Sequence, residues 1–162
     1  MSCDPGLRAT GLASFVDGRL TAAWLVRNPE TKVRGLPAWL AMGEAAYHST
    51  VAELRKPELL VTEFVSEYPQ VYARGPGDPA DLIELAGVVG AVGYAIRSMK
   101  SSSYLPRSWK GQVPKDVMCA RIEGRLSPEE KAAIRPCPTS LRHNVLDAIG
   151  VGLFHIGRLR AR

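Results

Sequence analysis

Asp4-Pro5-Gly6 stands at the start of the chain, Thr10-Gly11 follows it, and Leu12-Ala13-Ser14-Phe15-Val16 runs on as an extended stretch. A carboxylate closing a very short apolar run, then a Pro-Gly turn, then a second extended run predicts a bent strand or tight hairpin. The bend pushes Asp4 out at a strand end, and Gly6 and Gly11 allow close approach of another backbone or a phosphate. Two readings stay open at this point: a metal- or phosphate-facing carboxylate, or an ordinary Asp-Pro-Gly turn. Asp17-Gly18, between extended runs at 12–16 and 19–26, predicts a second hairpin.

The chain has 162 residues, enough for one domain with its own core. A hydrophobic fraction of 46% with 23% charged residues excludes a disordered chain. The N-terminus runs straight into the Asp4 element, so no signal peptide is expected. The longest apolar run, Leu85 to Ile96, is too short to span a bilayer and follows Glu84, so no membrane partner is expected. Cys3, Cys119 and Cys137 are odd in number and lack paired metal-ligand spacing, which favours a reducing compartment and argues against structural zinc. The net charge of +5 raises nucleic acid as a partner. Lys100, Arg107, Lys110 and Lys115 fall in one stretch, and Arg158, Arg160 and Arg162 make a basic tail.

Residues 37–54 carry Leu40, Ala41, Ala45, Tyr47, Val51 and Leu54 at helical spacing. Leu59-Leu60-Val61-Thr62 reads as a buried strand, with Glu63 projecting at its C-terminal end, where open α/β sheets place ligands. The loop from 64 to 78 carries Phe64, Tyr68 and Tyr72, rings that either stack on bases or pin the loop to the core, and Arg74 lies within it. A helix from Asp78 or Asp81 to Met99 contains Gly87, Gly90 and Gly93, a thin face for the sheet or for a second subunit. A strand at 101–105 precedes a basic turn with Arg107, Trp109 and Lys110. Helices are then predicted at 115–125, from Ser127-Pro128, and at 141–159. The last is apolar nearly all round, so His143, Asn144 and Asp147 on adjoining parts of its face stand out. Asp147 there wants a metal, a base or a capped backbone as partner.

In this order the motifs resemble the RuvC family of Holliday junction resolvases, within the RNase H-like superfamily. Asp4-Pro5-Gly6 with Thr10-Gly11 resembles the first-strand motif. Leu60-Val61-Thr62-Glu63 resembles the second acidic strand, Trp109-Lys110-Gly111 with Lys115 the basic segment, and His143-Asn144-Val145-Leu146-Asp147-Ala148 the terminal helix. The resemblance covers essentially the whole chain. It implies an α/β fold: a central five-stranded mixed sheet, three strands antiparallel, flanked by helices.

The resemblance also implies a chemistry: nicking of four-way DNA junctions with two Mg²⁺ or Mn²⁺ ions per active site. Asp4 would bridge the metals, with Glu63 and Asp147 each holding one. Lys110 and Lys115 would neutralise phosphates, with Lys115 also a catalytic candidate for stabilising transition-state charge. Phe64, Tyr68, Arg74, Arg107 and Trp109 would complete the DNA surface. Many relatives carry a carboxylate where this chain has Asn144, so the fourth ligand is open between Asn144 and His143. Only Met1-Ser2-Cys3 precede Asp4, a shorter first strand than the family's. Symmetric cutting implies a homodimer, with Gly87, Gly90 and Gly93 as its expected interface. A cytoplasmic setting, in a bacterial cell or phage-infected host, is expected.

Rival readings are a less selective branched-DNA or RNA–DNA hybrid nuclease, and a non-catalytic DNA-binding relative short of one ligand. An actin-like phosphotransferase also uses an Asp-Pro-Gly and Thr-Gly hairpin, but 162 residues cannot hold its two lobes.

Overall fold

The computed structural model describes residues 1–55, 61–70 and 78–160. Five strands form one mixed sheet in the order β3-β2-β1-β4-β5. They are β1 (Ser2–Asp4), β2 (Ala9–Val16), β3 (Arg19–Arg27), β4 (Glu63–Glu67) and β5 (Lys100–Tyr104). β1, β2 and β3 are antiparallel, while β4 lies parallel to both β1 and β5. This is the mixed five-stranded sheet, three strands antiparallel, that the resemblance implies.

The hairpin at Asp17-Gly18 is present as read. Val16 pairs with Arg19 across a two-residue turn in which Asp17 has φ 49° and Gly18 φ 75°. Two positive φ values make the turn whose twist matches the flanking strands.

Six helices flank the sheet: α1 (Leu36–Leu54), α2 (Pro79–Ile96), α3 (Pro106–Trp109), α4 (Lys115–Glu123), α5 (Pro128–Ala132) and α6 (Arg142–His155). Successive strand residues face opposite layers. Cys3, Leu12 and Phe64 point to one layer, where they meet Met42 and Ala46 of α1 and Val88 and Val92 of α2. Ala13 and Val65 point to the other, against Val145, Ile149 and Leu153 of α6 and Met118 and Ile122 of α4. The core thus lies in two slabs, and α6 is the buried helix its apolar sequence predicts. Ser127 caps α5 in a reciprocal box with Glu130, as its sequence indicates.

Of the strand expected at 59–62, Leu59 and Leu60 lie outside the described residues, and Val61 and Thr62 precede the described strand. That strand is Glu63–Glu67, ended by Tyr68-Pro69. Glu63 therefore begins β4 instead of closing it.

Among the described residues, α2 is the helix long and apolar enough to cross a membrane by length and composition, with 17% of its residues buried. Against the reading of Leu85–Ile96 as too short, the helix runs over 18 residues. It packs along α1, where Ala91 closes on Gly43, and over β4, where Gly93 lies against Phe64.

Candidate functional site

Two carboxylates from two elements meet one ammonium group, and a third, Asp4, lies within their electrostatic reach. Ser2 and Cys3 of β1 sit beside Val65 and Ser66 of β4, so the next residues, Asp4 and Glu67, end two neighbouring parallel strands together. α6 crosses the same end of the sheet. It fits there because Gly11 has no side chain: a Cβ at that position would lie 2.0 Å from the Asn144 carbonyl oxygen. Asn144 Nδ2 then donates to the Ala9 carbonyl at 2.9 Å, fixing the first turn of α6 to β2. Ser2 Oγ donates to the Ala148 carbonyl at 2.7 Å, fixing the next turn to β1. Asp147 lies between these two ties.

Lys110 Nζ lies 2.9 Å from Glu67 Oε2 and 3.2 Å from Asp147 Oδ2. The Trp109 indole N–H donates to Glu67 Oε2 at 2.8 Å. The Trp109 ring is 1% exposed and occupies the gap left by Gly150 of α6. The side chains of Lys110, Glu67 and Asp147 are 24%, 15% and 14% exposed, so their interaction is only weakly screened by solvent.

The electrostatics leave a deficit of positive charge. Burial, then the charges of Glu67 and Asp147, push the Asp4 carboxyl well above the ordinary carboxylate range, against the pull of Lys110 and Lys115. Burial likewise raises Glu67, although Lys110 works in the other direction. For Lys110, burial favours the neutral amine, but Glu67 and Asp147 outweigh it and its pKa rises. Lys110 is thus a fixed cation in the midst of three acids. Burial and the nearby Lys115 lower the His143 pKa, which keeps its ring neutral near pH 7.

By donor chemistry, the hard carboxylate oxygens of Asp4, Glu67 and Asp147 suit a divalent ion of the Mg²⁺ or Mn²⁺ type, the ion the family resemblance implies. As they stand, no three His, Cys, Asp or Glu side chains among the described residues are gathered at ligating distance. The Lys110 ammonium lies between Glu67 and Asp147 instead.

Several expected site residues take other places. Glu63 is at the opposite end of β4, where its Oε2 lies 3.1 Å from His155 Nε2 and its Oε1 accepts from Ser102 Oγ at 3.3 Å. It borders a separate pocket of about 560 Å³ with Met1 and His155. Glu67 occupies the place assigned to it. Phe64 is 2% exposed, beneath α2, and cannot stack on a base. Trp109 is likewise buried, and it holds Glu67 instead of facing DNA. Asn144 commits its amide nitrogen to Ala9. Gly87 is covered by the Trp39 ring and Gly93 by Phe64 within the same protomer, whereas a Cβ at Gly90 would meet nothing within 4 Å among the described residues. Tyr68, Arg107 and Lys115 are exposed, or nearly half so, and fit a binding surface. Arg74 and Tyr72 lie outside the described residues.

Two features went unread in the sequence. For Glu67 the signal was there: it is the last residue before Tyr68-Pro69, where a strand must stop. The other is a groove of about 620 Å³ beside His143, lined by Arg8, Arg27, Thr31 and Asn144. Asn28 braces its rim by donating to the Leu7 and Ala38 carbonyls, each at 3.1 Å. That contact joins segments far apart in sequence.

No family model and no curated protein matches the chain. Among solved structures it is similar to RuvC of Thermus thermophilus, at 14% identity and a TM-score of 0.58, over 99% of this chain and 98% of that one. It is also similar to T. thermophilus RuvC in complex with Holliday junction substrate, at 14% identity and a TM-score of 0.61, over 99% and 97%. Sheet order, flanking helices and full-length superposition together give this chain the RNase H-like α/β fold of the RuvC structures.

Proposed function

We propose that the chain is a homodimeric, divalent-metal-dependent endonuclease that nicks four-way DNA junctions symmetrically. One observation carries the reading: Asp4 and Glu67 end adjacent parallel strands, and Lys110 joins Glu67 to Asp147 of α6 beside them. Four-way DNA is the substrate of choice because the RuvC sharing the fold is solved with a Holliday junction substrate. The work would be done in the cytoplasm of a bacterial cell or phage-infected host.

Divalent ions held by Asp4, Glu67 and Asp147 would supply an activated water and stabilise the leaving oxygen. The chain's own groups supply the rest. Trp109 fixes the Glu67 carboxylate so that it cannot swing away. Lys110, released from Glu67 and Asp147, would transfer its charge to the phosphate. Lys115, exposed at the start of α4, would neutralise the adjoining one. Neutral His143 can accept a proton or a hydrogen bond at the mouth of the site. Asn144 holds α6 in register, and a fourth ligand would be His143 or the Asn144 amide oxygen.

Dimerisation is supported by the outer face of α2. Ile83 is 67% exposed and Tyr94 80% exposed, with Gly90 between them along the helix. These positions recur at helical spacing and form an apolar stripe with no partner among the described residues. A second copy using the same stripe would place two sites about a two-fold axis.

The test is cleavage of a synthetic four-way junction with Mg²⁺ or Mn²⁺, beside linear duplex and an RNA–DNA hybrid, with Asp4→Asn as control. Paired symmetric nicks in the junction alone, lost in the variant, are expected. Equal cutting of all substrates would favour the less selective nuclease. Tight junction binding without nicking would favour the binding-only relative.

A further inference from the structure

Away from the carboxylates, an open cleft of about 850 Å³ is lined by Arg121, Gly124, Arg125, Gly157, Arg158 and Arg160. Arg158 forms its frame. Its Nη1 and Nη2 donate to Glu130 Oε1 at 2.6 Å and Oε2 at 2.8 Å. The same guanidinium donates to the Gly18 and Arg125 carbonyls, each at 2.8 Å. One neutralised arginine therefore ties the end of α6 to α4, α5 and the β2–β3 turn.

The other three arginines are different. Arg121, Arg125 and Arg160 are exposed, and none has a carboxylate partner among the described residues. Leu159, the apolar residue of the lining, is 5% exposed, so the accessible wall is built from the arginine side chains and the glycines. Three uncompensated guanidinium groups around a braced cleft suit an extended polyanion. Their planar forks match phosphate oxygens.

Helix α4 connects this cleft to the carboxylates. Lys115 at its start acts electrostatically on Asp4 and His143. Arg121 and Arg125 lie at its other end. At 1.5 Å per residue the helix spans about 12 Å. That is the reach of about four nucleotides along one duplex strand. We propose that the arginine cleft is an outlying anchor for the phosphate backbone of the nucleic acid cut at Asp4, Glu67 and Asp147. The inference rests on the nuclease reading of that site.

The test compares wild type with an Arg121→Ala, Arg125→Ala, Arg160→Ala triple variant. Binding to a four-way junction is read by fluorescence anisotropy in EDTA across a salt series. Cleavage under saturating junction is read with Mg²⁺. Each lost phosphate contact should reduce the slope of log affinity against log salt by about 0.9. The triple variant should therefore lose two to three units of slope and tenfold or more in affinity, with its saturated cleavage rate unchanged. The corresponding triple Lys variant should recover most of the slope. If the triple Ala variant unfolds, Arg125→Gln alone should lose about one unit. Wild-type affinity and slope in a folded triple variant would overturn the proposal and leave the cleft to an acidic protein. Absence of any nucleic-acid binding by wild type would overturn both this proposal and the nuclease reading. Junction cleavage with unchanged salt dependence in the variant would overturn the anchor alone.

Discussion

Lys110 Nζ stands 2.9 Å from Glu67 Oε2 and 3.2 Å from Asp147 Oδ2, bridging the two carboxylates. A lysine in this position resolves part of the repulsion among three acids and leaves Asp4 with the remainder. On the proposed metal-dependent reading, the ammonium and a divalent ion would compete for the same oxygens.

Lys110→Met should expose that competition. Without the ammonium, the metal-free protein should lose about 2 kcal/mol at neutral pH, as expected when a half-buried ion pair loses one partner. Mg²⁺ should then raise its melting temperature more, and at lower concentration, than it does for wild type. A thermal-shift titration reads both effects. Junction cleavage should nonetheless fall, because the charge meant for the phosphate is gone.

Asp4→Asn should stabilise the metal-free protein. The folded Asp4 pKa is raised, so above about pH 4 the folded state retains a proton that the unfolded chain has released. Stability is therefore present below the unfolded pKa and declines as pH rises toward the folded value. The variant lacks this decline. It should melt higher than wild type at pH 7–8, with the gap closing toward pH 4. A series of thermal melts across pH checks the sign.

Trp109→Phe keeps most of the buried ring beneath Gly150 and removes the donor to Glu67. Loss of such a supporting hydrogen bond should lower kcat about tenfold or more, with little change in KM. Steady-state cleavage kinetics distinguish this from a folding defect, which would reduce the active fraction without favouring kcat in this way at a matched concentration of folded protein.

Tyr94→Arg places a charge in the middle of the exposed α2 stripe, where Tyr94 is 80% exposed. The monomer should remain folded, since the side chain supports no core contact. Sedimentation should shift from dimer toward monomer, and paired nicking should give way to single nicks. A variant that remains dimeric would remove α2 from the interface.

The β2–β3 hairpin and most helices were legible because their signals are local, whereas the five-stranded mixed sheet was an implication of the family resemblance. Asp17-Gly18 specifies its turn, Ser127-Pro128 with Glu130 specifies a helix start, and the apolar circumference of α6 specifies burial. Asp4 and Asp147 were legible as carboxylates in places that require a partner. Glu63 misled because it follows an apolar run and shares a strand face with Glu67, four residues on. Strand alternation gives both the same side, and only the neighbouring strand's register decides which one meets Asp4. Trp109 and Phe64 look like base-stacking rings in sequence. Their burial depends on Gly150 and Gly93 in distant helices, which one segment cannot reveal. Gly87 likewise receives Trp39 of the same chain, a tertiary contact that glycine spacing alone does not distinguish from a subunit interface.

The most direct measurement compares four-way junction cleavage by wild type, Glu67→Gln and Glu63→Gln under identical Mg²⁺. Wild type should nick the junction symmetrically. Glu67→Gln should lose about a hundredfold or more, as expected for removing a group at the reacting centre. Glu63→Gln should remain within a few-fold of wild type, because its carboxylate is occupied with His155 at the far end of β4. Loss of cleavage in Glu63→Gln with retention in Glu67→Gln would contradict the site assembled around Asp4, Glu67 and Asp147.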